Sequence, residues 1–431
     1  MRNAVPGRLA AGPADATVRN ARNAVYVVFI SFGFASAAWA AQIPQVRSAL
    51  QVTPGVLGLI LLSSAIGPAV AIPLTGLAIQ RFGEALVVAA SGVIAAAGLA
   101  VVAVGYRHGI APTAAGLFVY GFGSGSGDVA MNVQGTVVER ALGRAILPKF
   151  HAGWSIGTVA GAGVGTIMVA WHVPVTADLL GTAVLVGLII VAATRGFMTL
   201  APEPEPAPAP GAGPGPAGSA GASPAARAAA RSPLAAWTEL RTLLVGLFVL
   251  CMTVIEGIGN SWLSLGVISG YHATAVLGTA TLSIFLAAMT AGRWFGPGII
   301  DRHGRVRVLQ AGAVIALAGL LLIGFGGVLA VAIAGAALMG LGIALGFPVG
   351  MSAAADDPRY AAGRVSTAAS LGYTAFLAGP PAIGALADHL GILHALALAS
   401  VLLVAALFLS RATAPIRGPV RKPELPLDTA G

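Results

Sequence analysis

The sequence predicts an all-α membrane protein with twelve transmembrane helices arranged as two pseudo-symmetric halves of six. Three observations carry that expectation. Of the 431 residues, 57% are hydrophobic and only 9% charged, and the mean hydropathy is +0.88; a soluble domain carries about a quarter charged residues. The apolar residues gather into segments close to the ~20 residues that a helix needs to cross the hydrocarbon core. A stretch rich in Pro, Gly, Ala and Ser interrupts these segments midway and leaves six on either side.

In chain order, residues 1–22 read as a polar arm carrying Arg2, Arg8, Arg19 and Arg22. The first apolar segment is 23–44. Its Ala38-Trp39-Ala40 mimics the cleavage site of a secretory leader, but losing this segment would break the six-plus-six pattern, so it is retained as the first span. Spans two to six follow at 55–79, 85–106, 111–137, 148–171 and 175–197. The interruption, 199–236, has too few large apolar residues to fold and reads as a linker. Spans seven to twelve are 241–268, 274–299, 307–327, 329–352, 364–386 and 390–410, with a tail over 412–431. The halves, 23–198 and 237–411, are nearly equal in length, as expected of parallel repeats related by an axis along the membrane normal. A single cysteine, Cys251, excludes an intramolecular disulfide framework and a cysteine-cluster metal site. No cofactor or metal is expected.

Basic residues orient the chain. Of 24 Lys and Arg, twenty-one fall in the arm, the linker, the tail and the turns after even-numbered spans. Only Arg47 and Arg107 fall on the other side, and Arg293 lies within span eight. Cationic loops stay in the cytoplasm, so both termini and the linker are expected there, in a multi-pass protein of the inner (plasma) membrane. The net charge of +9 then reflects orientation and contact with anionic inner-leaflet lipid, and nucleic acid is not expected as a partner.

Polar residues inside the spans mark candidate sites. Asp128 and Asn132, one helical turn apart, project from the same face of the fourth span. An acid in hydrocarbon is costly unless it meets a partner or a cavity, so it points to function. Glu256 and Asn260 repeat the spacing in the seventh span. The competing role for both pairs is an interhelical hydrogen bond that holds the bundle together. Trp39, Trp262 and Tyr373 could stack on a sugar ring or serve as packing and interfacial anchors. For Arg293, the nearness of Asp301 favours snorkelling to the inner surface. For His151, at the mouth of span five, a hydrogen-bonded interfacial role is favoured over proton relay. Gly153, Gly157, Gly161 and Gly165 recur every fourth residue of span five, and Gly292 and Gly296 extend a second small-residue ridge on span eight; such ridges admit a close neighbour, and the second is a candidate partner for the first. Gly121, Gly123, Gly125 and Gly127 follow no strand and precede no Lys-Ser/Thr, so they are no phosphate loop.

Two turns recur six spans apart. Gly76-Leu-Ala-Ile-Gln-Arg-Phe-Gly83 joins spans two and three, and Gly298-Ile-Ile-Asp-Arg-His-Gly-Arg305 joins spans eight and nine; they share Arg81-x-Gly83 and Arg302-x-Gly304. Here the chain resembles the major facilitator superfamily, whose signature at both turns is a glycine followed by Asp-Arg-x-Gly-Arg. Asp301, Arg302, Gly304 and Arg305 match it; the first copy has Gln80 for the acid and Glu84 for the last arginine. The resemblance implies gating loops in which basic turns pair with acids at neighbouring helix ends, where Glu139 with Arg144 and Asp356-Asp357 with Arg364 stand. The runs Asp128-Val-Ala-Met-Asn-Val-Gln-Gly135, His151-Ala-Gly-Trp-Ser-Ile-Gly157, Glu256-Gly-Ile-Gly-Asn-Ser-Trp262 and Gly346-Phe-Pro-Val-Gly350 look like the MosC-like branch, which is associated with sugar-like small molecules. Ser261 stands where that branch suggests an Asp, and the chain lacks the arginine and the Gly-Pro pair found in spans four and five of many proton and drug antiporters.

The resemblance implies a secondary transporter, not an enzyme, that moves a small polar solute by alternating access, as a monomer. Protons are the expected coupling partner, since a carboxylate in a low-dielectric site can load and unload one. Drug efflux on the same fold is the alternative, and a non-transporting membrane sensor a more distant one. No HExxH, GxSxG or paired carboxylates suggest an enzyme.

Overall fold

The computed structural model describes residues 15–144, 146–198, 233–357 and 360–416; most of the expected linker and tail lie outside them. The described chain is helical throughout its spans. The first half comprises α1 (Asp15–Leu50), α2 (Pro54–Phe82), α3 (Glu84–Gly105), α4 (Ile110–Leu142), α5 (Leu147–Ala170) and α6 (Val175–Ala193). The second comprises α7 (Leu240–Tyr271), α8 (Ala275–His303), α9 (Arg305–Phe325), α10 (Leu329–Ile343), α11 (Gly346–Ala354), α12 (Ala361–Leu390), α13 (Ile392–Leu398) and α14 (Ser400–Leu409). Spans ten and twelve are each broken into two helices, so twelve spans remain.

Three features differ from expectation. Residues 15–22 are not part of an arm: α1 starts at Asp15 because Val18 and Ala21 are buried, and Gly196 at the end of the half packs on Asn20 and Ala24. Among the described residues, ten segments are long and apolar enough to cross a membrane on composition alone. α4 and α12 are not among them, although they run 33 and 30 residues. Glycines and Asp128, Asn132 and Gln134 dilute α4; serines, threonines and Pro380-Pro381 dilute α12. α4 is sheltered by neighbours, which relieves its demand for apolar surface, whereas α12 keeps an exposed polar face. The third difference is the break at Ala344-Leu345 in span ten. Pro348 has no N–H to offer the carbonyl four residues back, that of Ala344, so the helix opens there.

Helix neighbours repeat with a period of six spans. α3 packs on α4, α1 on α5, α2 on α4 and α3 on α6; six spans later α9 packs on α10, α7 on α12, α8 on α10 and α9 on α14. The glycines of α4 explain its tight placement. A side chain at Gly121 would strike the carbonyl of Ser64 on α2, and one at Gly123 the backbone of Ala95 on α3. The turns at Gly83 and Gly304 have nearly the same backbone, φ 79° with ψ 159° and 147°, a region open essentially to glycine alone. Each closes its helix by donating its N–H to Ile79 or Ile300.

Two matched seams join the halves: α2 against α12 and α5 against α8. The first is built from Gly55 and Gly58 resting on Pro380, Pro381 and Gly384. All of these lie toward the face opposite the Arg-rich turns, which we call the basic face.

Candidate functional site

Arg293 is the hub of the space between the halves. Its Nη2 donates to Glu256 Oε1 at 2.8 Å, its Nη1 to Ser155 Oγ at 3.4 Å and its Nε to the Ala344 carbonyl at 3.3 Å. The last acceptor is the carbonyl that Pro348 leaves free, so the break in span ten presents a backbone group to the site, as discontinuous membrane helices do where they line a cavity. The side chains of Arg293 and Glu256 remain 26% and 18% accessible. The pair is thus not sealed in the core. Snorkelling of Arg293 toward Asp301 is therefore not what occurs; a carboxylate at the depth of the guanidinium is the better partner. Ser155 belongs to α5, so Arg293 also reaches across the halves, and Thr290 Oγ1 donates to the Ser155 carbonyl at 3.4 Å beside it. Toward the opposite face, the hydroxyls of Thr166 and Ser283 meet at 3.2 Å along the same seam.

Asp128 and Asn132 lie together on α4, half-buried. Asn132 Nδ2 donates to the Asp128 carbonyl at 2.7 Å and to Oδ1 at 3.3 Å. Across from them, α12 exposes Ser366, Ser370, Tyr373 and Thr374 on one face, and Tyr373 stands within electrostatic reach of the Asp128 carboxylate. His151, on α5, packs edge-on against Phe29 with ring centroids 5.2 Å apart and lies within electrostatic reach of Arg293. Asn260 is half-buried, and among the described residues nothing hydrogen-bonds its side chain.

Other expected site residues sit elsewhere. Trp262 is 0% exposed and Trp39 6%; both are core side chains, so neither presents a ring to a solute. The α5 ridge does not meet α8. Side chains at Gly157 and Gly161 would strike the carbonyls of Ile30 and Phe34, Gly153 lies on Tyr26 and Gly165 on Ala41, all on α1 of the same half. Gly292 and Gly296 face Ala344 and Leu345 in the broken tenth span. The α5–α8 seam exists, but it runs through Ser155, Thr166, Ser283 and Thr290.

Among the described residues, the basic turns of the second half form a network. Arg305 holds both oxygens of Asp356, Nη1 at 2.9 Å and Nη2 in close contact, and Arg241 adds a bond of 2.9 Å to the same carboxylate. Arg364 grips Glu239 with bonds of 2.7 and 2.6 Å. Asp356 is thus a partner of the turn arginine. Asp301 and Arg302 are exposed. In the first half Glu84 replaces that arginine and has no attraction for Glu139. Glu139 instead accepts from the N–H groups of Leu147 and Ile146, at 2.9 and 2.7 Å, and these bonds hold its carboxyl below the usual range. Arg81 lies over its neighbour Phe82, 5.5 Å from the ring centre, and Arg144 is exposed.

Sequence reasoning missed a clasp at the far face. Asp388, at the end of α12, accepts from Gly55 N at 3.1 Å and from Thr53 Oγ1 at 3.2 Å. It borders a cavity of about 650 Å³ that Arg47, Gln51 and Ser269 also line. A second missed feature is buried: Gln42 on α1 donates to Asp178 on α6 at 2.5 Å.

Comparison with known proteins fits this architecture. The family model described as Major Facilitator Superfamily matches residues 24–375. An uncharacterised transporter of Sinorhizobium fredii is 30% identical over 371 residues, 84% of this chain and 89% of the relative. Membrane protein MosC of Rhizobium meliloti is 26% identical over 378 residues, 86% of this chain and 85% of MosC. Among solved structures, the nucleoside transporter NupG superposes with a TM-score of 0.69 at 14% identity, covering 92% of this chain and 98% of NupG. The fucose:proton symporter FucP of E. coli does so at 0.60 and 17%, covering 91% and 98%. The matched model spans most of the two halves, and the chain therefore belongs to the major facilitator superfamily, as a multi-pass membrane transporter of small-molecule solutes and not an enzyme.

Proposed function

We propose that the chain moves a small polar, sugar-like solute across the inner membrane with proton coupling, its termini and basic face in the cytoplasm. The observation that carries this reading is the Asp128 carboxylate, set between the halves with a single hydrogen-bonding neighbour and facing the hydroxyl-lined side of α12. A carboxylate without a fixed cation is free to exchange its proton with water admitted to either side. Tyr373, Ser370, Thr374, Asn132 and Asn260 supply donors and acceptors suited to a hydroxylated solute, and Glu256 with Arg293 completes the wall. The α2–α12 seam is shut toward the far face, and the proposed cycle opens the site toward the cytoplasm. That NupG carries nucleosides and FucP fucose with protons agrees with a polar cargo.

The test is transport in proteoliposomes. Wild type should accumulate solute under an imposed pH gradient and exchange it at equal pH. Asp128→Asn should keep exchange and lose accumulation. Continued accumulation by this variant would make Asp128 a structural hydrogen-bonding group and remove the proton-coupling assignment.

A further inference from the structure

The charges of the central site are unevenly balanced. All three kinds of nitrogen on Arg293 are engaged, by Glu256, by Ser155 and by the Ala344 carbonyl. The guanidinium is neutralised by Glu256 and has three of its five N–H donors engaged by the protein. It offers little to an anion unless the pair breaks. Asp128 has no such counterion: Asn132 is its one side-chain partner, and among the described residues no arginine, lysine or histidine pairs with it. The opposing wall from α12 is hydroxyls: Ser366, Ser370, Tyr373 and Thr374. His151 lies on the Arg293 side of the site, against Phe29. The cationic residues of the basic face, such as Arg144 and Lys149, are exposed at the ends of helices, where salt screens them.

We propose that this site is a charge filter, in which Asp128 sets a negative potential that admits neutral or cationic hydroxylated solutes and rejects anionic ones. The inference rests on the solute-site reading above and sharpens it to a charge class. The physical reason is that Arg293 is already paired with Glu256 and also donates to the Ala344 carbonyl and, across the halves, to Ser155. A phosphorylated or carboxylated solute would meet an acid and a spent arginine. A neutral or amino-bearing solute would meet an acceptor on α4 and hydroxyls on α12. A single charge ~6 Å away at an effective dielectric of ~20 changes the local concentration of an ion by about a hundredfold, enough to discriminate by sign.

The potential is measurable without knowing the solute. Cys251 is buried, and a Cys251→Ala background carrying Thr374→Cys places one thiol on the exposed face of α12. Full-length protein is reacted from the basic face with a cationic (trimethylammonium-ethyl) and an anionic (sulfonate-ethyl) methanethiosulfonate, and the rates are divided by those of free 2-mercaptoethanol. The expected cation-to-anion ratio exceeds that of the free thiol by ~10-fold or more, and Asp128→Asn brings it to within about 3-fold of the free thiol. Ser370→Cys should behave alike and guards against a poorly folded first variant. A ratio near that of the free thiol, one favouring the anion, or one unmoved by Asp128→Asn would overturn the filter. So would failure of both thiols to react, since it would mean that no open path reaches the site. A transport assay in which no polar solute moves would remove the solute reading instead, whatever this ratio is.

Discussion

Asp388 on α12 accepts the backbone N–H of Gly55 on α2 at 3.1 Å, so the last turn of one helix caps the first turn of a helix in the other half. Thr53, the N-cap of α2, adds its hydroxyl at 3.2 Å. The first N–H groups of a helix lack intrahelical partners and favour a negative charge. An acid placed there makes a seam that holds when closed and is readily solvated when opened. Each such bond contributes about 1 kcal/mol, so Asp388→Ala should shift the balance toward opening at this face by about 5- to 30-fold. Spin labels on the α1–α2 and α12–α13 turns would report this as a longer distance population. An unchanged distance distribution would show that the glycine and proline packing closes the seam alone.

Close packing of α5 on α1 changes what the glycine ridge should do when filled. At Gly157 an added side chain meets the backbone of α1, which cannot move aside, whereas at Gly163 it meets open space. Gly157→Leu should therefore lower the melting temperature and the yield of folded protein, at a cost of several kcal/mol for overpacking. Gly163→Leu should leave both within error. If Gly157→Leu folds with normal stability but fails only in transport, the ridge acts in the rocking motion after all.

Much of this architecture was legible because it depends on local signals. Hydropathy set the spans, the Pro- and Gly-rich interruption divided them, and arginine counts separated the faces. The positive-φ turns at Gly83 and Gly304 were visible as a repeated motif. Partner choice was not legible. A stripe of small residues such as Gly157 and Gly161 says that some backbone comes close, but not which one, and the answer was α1. The same holds for Arg293, whose nearest acid in sequence, Asp301, lies at the helix end, while Glu256, 37 positions away, sits at its own depth. Trp262 misled for a related reason: hydropathy cannot tell an aromatic lining a cavity from one filling the core. The motif around Pro348 was visible, yet its use required knowing that Arg293 approaches the carbonyl it frees.

The Glu239–Arg364 pair gives a pH dependence with a definite sign. Burial works against the charged form of Glu239, but the Arg364 guanidinium and the Thr242 hydroxyl outweigh it and hold its carboxyl below the usual carboxylate range. A depressed folded-state value means that the stabilisation is fully present above the unfolded value, near ~4.3, and is lost as pH falls through the folded one. The Glu239 side chain is 33% accessible, so after screening the pair contributes about 1 kcal/mol or less. Glu239→Gln should melt about 1–3 °C below wild type at pH 7, with the difference shrinking as pH falls through the folded-state value. A difference that persists unchanged into acid would point to lost packing in place of the ion pair.

The Glu256–Arg293 pair should behave as a coupled unit. Removing one member of a buried pair leaves the other charged in low dielectric, at a cost of about 3–5 kcal/mol when burial is complete. Here the side chains keep 18% and 26% of their accessibility, which reduces the expected cost to about 1–3 kcal/mol. Arg293→Gln exposes the uncompensated Glu256 and also drops the bonds to Ser155 and Ala344. Glu256→Gln leaves Arg293 with those two anchors but without its counterion. Both singles should lose stability, whereas the double variant, with no charge left to bury, should be more stable than Arg293→Gln alone. Function should not follow stability. The double variant still lacks the Glu256 carboxylate of the site wall, so its solute affinity should stay as poor as that of Glu256→Gln while its melting temperature recovers. Thermal melts of the three variants, with solute exchange at equal pH measured on the same preparations, separate the two effects. Losses that simply add in the double variant would mean that the two side chains act independently, and the coupling inferred from their 2.8 Å bond would have no energetic consequence.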